Sequence, residues 1–345
     1  VQSSEICRPE VSKNIMTIQL PLRLYGEYCS PYTRKMLSLL RYRRIRYQLL
    51  QGGPGGAPAE LPKPKVALLP TFYLNNQEGE LEAAVDSTPL IRRFERDFMQ
   101  RSVIPSDAAL VFVDYLLEDY GDEWLTKAMF HYRWAHQADC DKAGVLLPMQ
   151  HTFEVSEERS EQAQRAFRER QISRLYVVGS NEVTADVIEN TYRDFLQAFD
   201  SILCQRPYLF GRRPSSADFA FYGQLTQLAS FDPTPMKLTL ETAPRVSAWV
   251  NRMDDLSGLH VDQSGWFERD QLLDSLRPLL TEIGRSYVPV MLANAQAVIC
   301  GDKDIHVNVE GKTWLQPTFP YQARCVQWIQ EQYLALAGSD RRWVD

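Results

Sequence analysis

Cys29 and Ser30 stand side by side in the segment Tyr28-Cys29-Ser30-Pro31-Tyr32, and both side-chain types do chemistry. A thiol reacts as its thiolate, and an unperturbed cysteine has a pKa of about 8.5. A serine hydroxyl at a helix start sits in a field that favours negative charge. The apolar run from Ile18 to Gly26 precedes the pair, and a stretch with Met36, Leu37 and Leu40 on one side follows it. A strand therefore ends and a helix begins at Cys-Ser-Pro-Tyr. Pro31 suits the first helical position, where its missing N–H costs nothing. In this setting Ser30 also reads as a plain helix cap, and Cys29 as a bystander thiol.

The neighbouring elements set the frame. The pattern predicts a strand over 18–25, a helix over 31–43 and a strand over 45–50. So short a β-α-β run implies a parallel pair with a helical crossover. Residues 51–65 are rich in Gly and Pro, but lack the Lys and Ser/Thr that a phosphate-cradling loop needs, and read as a loop. Thr71 to Asn75 and Glu80 to Ala84 read as a hairpin. A helix starts at Ser87 or Thr88, with Pro89 just inside. The order β-α-β-loop-β-β-α is the thioredoxin-like one. From Leu110 the chain is helical, with a break expected near Gly121. Further helices are expected over 156–176, over 184–205, and after Ser215, where Asp218 completes a capping-box pattern. Beyond a loop at 256–266 come a helix, a hairpin turning at Glu310-Gly311, and a closing helix. Two strands are marginal alone, and Val326, Ile329 and Leu334 need a partner. The tail is therefore expected to pack on the helical domain. The division is a 1–17 extension, an 18–100 thioredoxin-like domain, a 104–255 all-helical domain and a 257–345 extension.

Composition narrows the function. The 345 residues carry 44% hydrophobic and 24% charged side chains and a net charge of -6. That balance argues against a nucleic-acid binder. The longest nearly uncharged run, Ser286 to Cys300, is too short to span a bilayer. The six cysteines are scattered without a Cys-x-x-Cys pair, which fits free thiols in the cytoplasm or another reducing, soluble compartment. His131 and His136 are five apart and off a common helical face, so no metal site is expected. Residues 1–15 resemble neither a signal peptide nor a transit peptide, and the fold is expected to start near Met16.

Taken together, "LYGEYCSPYTRKMLSLLRYRRIRY", "LLPTFYL", "DSTPLIRRFE" and "RPYLFGRRPSSADFAFYGQL" resemble, in order, motifs of the glutathione transferase superfamily. The resemblance covers roughly residues 18 to 252. "YGDEWLTKAMFHYRW" is similar to a stretch of long bacterial proteins of that kind. It implies a thioredoxin-like domain followed by an all-helical domain, here with a helix-hairpin-helix extension. It implies glutathione as co-substrate, no metal, a small electrophile as second substrate, and a homodimer. Ser30 occupies the position before the proline where glutaredoxin-like relatives carry a reactive cysteine. Thr33 stands where a resolving cysteine would, and Cys29 is one place early. Lowering a thiol pKa by about two units takes about 2.7 kcal/mol of preferential thiolate stabilisation. A hydroxyl donor at a helix N-terminus supplies much of that.

The resemblance further implies that Pro70, in cis, presents the backbone of Leu69 to the cysteinyl part of glutathione. Ser87 and helix N–H groups would take the γ-glutamyl carboxylate, and Asp86 its ammonium. Tyr120, Trp124, His131 and Trp134 are the candidates for the second-substrate wall. The expected function is conjugation of glutathione to a small electrophile through a thiolate stabilised by Ser30. One alternative is a glutathione-dependent thiol transferase using Cys29. Another, suggested by the extensions, is a non-catalytic subunit of a larger assembly.

Overall fold

The computed structural model describes residues 19–150, 153–262 and 265–345. The 1–17 extension, with Cys7 and Met16, lies outside the described residues. The chain opens with β1 (Leu22–Gly26), α1 (Pro31–Tyr42), β2 (Tyr47–Gln51), β3 (Thr71–Asn75), β4 (Leu81–Ala84) and α2 (Ser87–Asp97). These form a thioredoxin-like domain. Its sheet order is β2-β1-β3-β4, with β1 parallel to β2 and the other pairs antiparallel. The α1 face built from Met36, Leu37, Leu39 and Leu40 is buried in one core with Leu24, Phe72 and Phe94. Ser30 caps α1 by accepting from the Thr33 N–H at 3.2 Å. The helix ends where Arg44 takes a φ of 55°. There the Ile45 and Arg44 N–H groups donate to Leu40 and Arg41 carbonyls, so orphan acceptors of the last turn are satisfied.

Strand register decides what meets at the sheet's end. Tyr25 lies across from Thr71, Phe72 across from Ala84, and Gly26 across from Gln51. The C-terminus of β1, the N-terminus of β3 and the C-terminus of β4 thus share one end. Ser30, Leu69-Pro70 and Asp86-Ser87 all lie within a few residues of it in the chain.

The helical domain begins with α3 (Ala108–Tyr120), which runs through one π-helical turn, Gly121–Leu125, into α4 (Thr126–Ala135). The break expected at Gly121 is this turn, and the backbone remains helical. A Cβ on Gly121 would lie 2.9 Å from the Phe221 ring, so glycine permits the close packing there. Next come α5 (Gln137–Met149), α6 (Glu157–Ile172), a 3₁₀ turn at Leu175–Val178, α7 (Ala185–Gln205), α8 (Ser216–Leu228), α9 (Pro233–Thr242) and α10 (Pro244–Met253). The Ser215–Asp218 capping box opens α8. Helix α8 crosses α1 so closely that a Cβ on Gly223 would stand 2.6 Å from the Pro31 carbonyl. That packing holds the start of α1 against the helical domain.

The tail comprises α11 (Arg269–Arg285), α12 (Tyr287–Cys300), a hairpin of β5 (Asp304–Val309) and β6 (Lys312–Pro317), α13 (Pro320–Leu334) and α14 (Gly338–Val344). Glu310 and Gly311 both take positive φ at the hairpin turn, as a two-residue turn of that hand requires. Trp314 of β6 stacks on Trp124 at 5.3 Å between ring centroids. Val326 is buried, whereas Leu334 is exposed. Among the described residues no helix is long and apolar enough to cross a membrane.

Candidate functional site

Ser30 is partly buried at the N-terminus of α1, its oxygen accepting the capping bond while its hydroxyl proton remains available. The Leu69–Pro70 peptide is cis. Among the described residues neither the N–H nor the C=O of Leu69 is hydrogen-bonded. It thus offers a free strand-like edge next to β1. Asp86 caps α2 from a φ of 79°, accepting from the Thr88 N–H at 3.3 Å. Its other oxygen accepts from Tyr321 of α13 at 2.8 Å. The tail therefore reaches the carboxylate expected to meet an ammonium. Ser87 is buried and takes a hydrogen bond of 2.9 Å from Lys35.

Lys35 was not anticipated as a site residue. Its side chain is fully buried, and besides Ser87 its ammonium donates to Glu118 at 2.8 Å and Asp122 at 2.6 Å. The two carboxylates respond in opposite directions. Burial works against the charge of both. Glu118 nevertheless stays at about 2, because Lys35, Arg92 and donors such as Ser216 converge on it. Among the described residues Asp122 has only Lys35 as a side-chain partner and one oxygen without any, so burial raises it to about 7. Glu118 carries a charge throughout, and Asp122 exchanges its proton near neutral pH. Burial also raises Asp119 to about 6 and, helped by Asp119, Glu123 to about 8. Both hold side chains of the tail: Asp119 that of Tyr287, and Glu123 that of Gln322 at 3.0 Å. The acidic run of "YLLEDYGDEW" was the sequence signal for this cluster.

These shifts have a consequence for stability. Asp122 and Glu123 bind protons in the folded state at pH values where the unfolded chain has released them. Stability is therefore greatest below their folded values and is lost as pH rises through them. Between about pH 6.5 and 8, urea unfolding should show a fall of at least about 1.4 kcal/mol, one pKa unit's worth. Glu118 acts oppositely, but only as pH falls below the ordinary glutamate range. A flat or rising stability in that window contradicts the assignment.

Cys29 is half-buried and donates to Glu27 at 3.2 Å. Burial, then that carboxylate, push its thiol up to about 12. It is protonated at neutral pH, the wrong state for a nucleophile. Iodoacetamide at neutral pH should leave Cys29 unmodified while labelling the exposed Cys204 and Cys300. Mass mapping that finds Cys29 labelled as fast as they are contradicts this.

The four residues expected along the second-substrate wall, Tyr120, Trp124, His131 and Trp134, are all buried. Tyr120 packs among Phe195, Phe221 and Tyr287. Trp124 is covered by Trp314. Trp134 lies against Phe130 and Phe167. His131 is held by Ser180 and Glu189. Each is thus packed against other side chains of the core or its margin. His131 and His136 do meet, with ring centroids 5.6 Å apart, because α4 stops at Ala135 and the five-residue spacing is no longer helical.

Two family models match the chain. The glutathione S-transferase N-terminal domain matches residues 24–102, and the glutathione S-transferase C-terminal domain matches residues 168–260. The chain belongs to the glutathione transferase superfamily. Among solved structures it is similar to the tau class glutathione S-transferase of mango, Mangifera indica, at 16% identity over 75% of this chain and 98% of that one, with a TM-score of 0.42. It is similar also to a β-etherase from a Sphingobium species, at 15% identity over 76% and 99% and a TM-score of 0.45. A third is a glutathione S-transferase from Methylobacterium radiotolerans in complex with glutathione sulfonate, at 17% identity over 74% and 93% and a TM-score of 0.39. No curated protein matches the chain. The family assignment rests on the two family models.

Proposed function

We propose that the protein binds glutathione across the shared end of its sheet and transfers it to a small electrophile. The observation that carries this reading is the convergence there of the Ser30 cap, the unpartnered Leu69 backbone and the Asp86-Ser87 helix start. The cysteinyl backbone of glutathione pairs with Leu69 as an added strand. Its thiol lies at the start of α1, where the Ser30 hydroxyl donates to sulfur and the helix field favours the anion. The thiol proton leaves to solvent. The sulfur then forms a bond to the electrophilic carbon, which expels its leaving group or takes up a proton elsewhere. The γ-glutamyl carboxylate is received by Ser87 and the first N–H groups of α2, and the ammonium by Asp86.

Tyr321 competes for Asp86 in this scheme. Tyr321→Phe removes a neutral donor from that carboxylate, a contribution of about 0.5–1.5 kcal/mol. Glutathione affinity should rise by about two- to tenfold, read by calorimetry; weaker binding contradicts the competition. The function itself is tested by following conjugation of glutathione to a chloronitrobenzene in absorbance. Turnover above the uncatalysed rate supports it. No turnover with this or other soft electrophiles, at saturating glutathione, sinks it.

A further inference from the structure

We propose that His131, His136 and Glu189 form a binding site for a divalent transition-metal ion of the zinc class. The site lies where the end of α4 meets α7, outside the glutathione site. His131 Nε2 is 3.5 Å and His136 Nε2 3.1 Å from the same oxygen, Glu189 Oε1. One ligand atom from each of the three residues lies within 4.8 Å of the others. Zinc bonds of about 2.0–2.1 Å in tetrahedral geometry separate their ligand atoms by about 3.3 Å, on the same scale.

The surroundings fit a ligand set as well as the distances do. Ser180 Oγ is 2.7 Å from His131 Nδ1, so the ring is oriented with Nε2 towards the centre. An outer partner of this kind characterises metal-binding histidines. His136 adopts an extended backbone beyond α4, and Tyr132 stacks on its ring. Arg193 approaches the other carboxylate oxygen, Oε2, at 3.7 Å and leaves Oε1 to the imidazoles. His131 is buried, whereas His136 and Glu189 are only partly so, which leaves solvent a way in and a position for a water ligand. Two imidazoles, one carboxylate and an open position suit zinc, and the same donors accept other first-row divalent ions.

The test uses the full untagged chain, stripped with a chelator and titrated with zinc chloride in a calorimeter at neutral pH. One ion should bind per chain at micromolar or lower zinc, and the melting temperature should rise with zinc concentration. Glu189→Gln keeps an oxygen to accept the ring N–H groups but loses the charge. His136→Ala removes one ligand from a partly exposed position. Each should weaken zinc by about tenfold or more relative to the unsubstituted chain. Cobalt(II) in place of zinc should give weak visible bands without thiolate charge transfer. No binding at micromolar zinc, undiminished binding in both variants, or thiolate charge transfer from a cysteine site would overturn the proposal.

Discussion

Replacing Lys35 with methionine destabilises the protein by about 3–5 kcal/mol, the cost of removing one partner from a buried ion pair. The change keeps much of the side-chain volume and removes only the ammonium. It leaves Glu118 with Arg92 as its remaining cation, Asp122 without a side-chain partner, and Ser87 without its donor. The lysine ammonium is held above its ordinary pKa in spite of burial, and Glu118 stays ionised beside it, so the Lys35–Glu118 pair is charged in the folded state. Urea unfolding at neutral pH reads the effect. A loss under about 1 kcal/mol, the scale of a surface pair, would show that the buried network contributes little.

Ser30→Ala raises the pKa of bound glutathione by about one to two units, since a hydrogen bond to a charged group contributes about 1.5–3 kcal/mol. Thiolate absorbance at neutral pH falls, and conjugation falls with it. Affinity for glutathione changes less, because in the proposed site Leu69, Asp86 and Ser87 supply the other contacts. Alanine also removes the cap that accepts from Thr33, at a cost of about 1 kcal/mol in helix stability. Ser30→Gly separates the two effects, because glycine caps almost as well and has no hydroxyl. Cys29→Ala leaves the thiolate pKa unchanged. A wild-type thiolate pKa in Ser30→Gly would remove the serine from the mechanism.

The elements that were legible are those whose signals are local. The β3 strand, the Ser30-Pro31 helix start, the Ser215–Asp218 capping box and the Glu310-Gly311 turn are each written within a few residues. The Lys35 cluster was not legible. Its partners Glu118 and Asp122 lie 83 and 87 residues away and are brought in by packing of α3 and the π-helical turn. The bond from Tyr321 to Asp86 spans 235 residues. Helical spacing alone cannot tell an aromatic that lines a cleft from one that fills a core. For Trp124 the neighbour comes from the tail, where Trp314 stacks on its ring. The meeting of His131 and His136 depended on where α4 stops, and a helix end one turn later would have kept the rings apart.

The most direct measurement is calorimetric titration of the full chain with reduced glutathione at neutral pH, alongside the absorbance of its bound thiolate. The account predicts saturable binding of a single glutathione per chain, thiolate formed at a pH where free glutathione remains largely protonated, and thiolate lost in Ser30→Gly. An absence of heat and of any thermal shift at millimolar glutathione would contradict both the site and the activity.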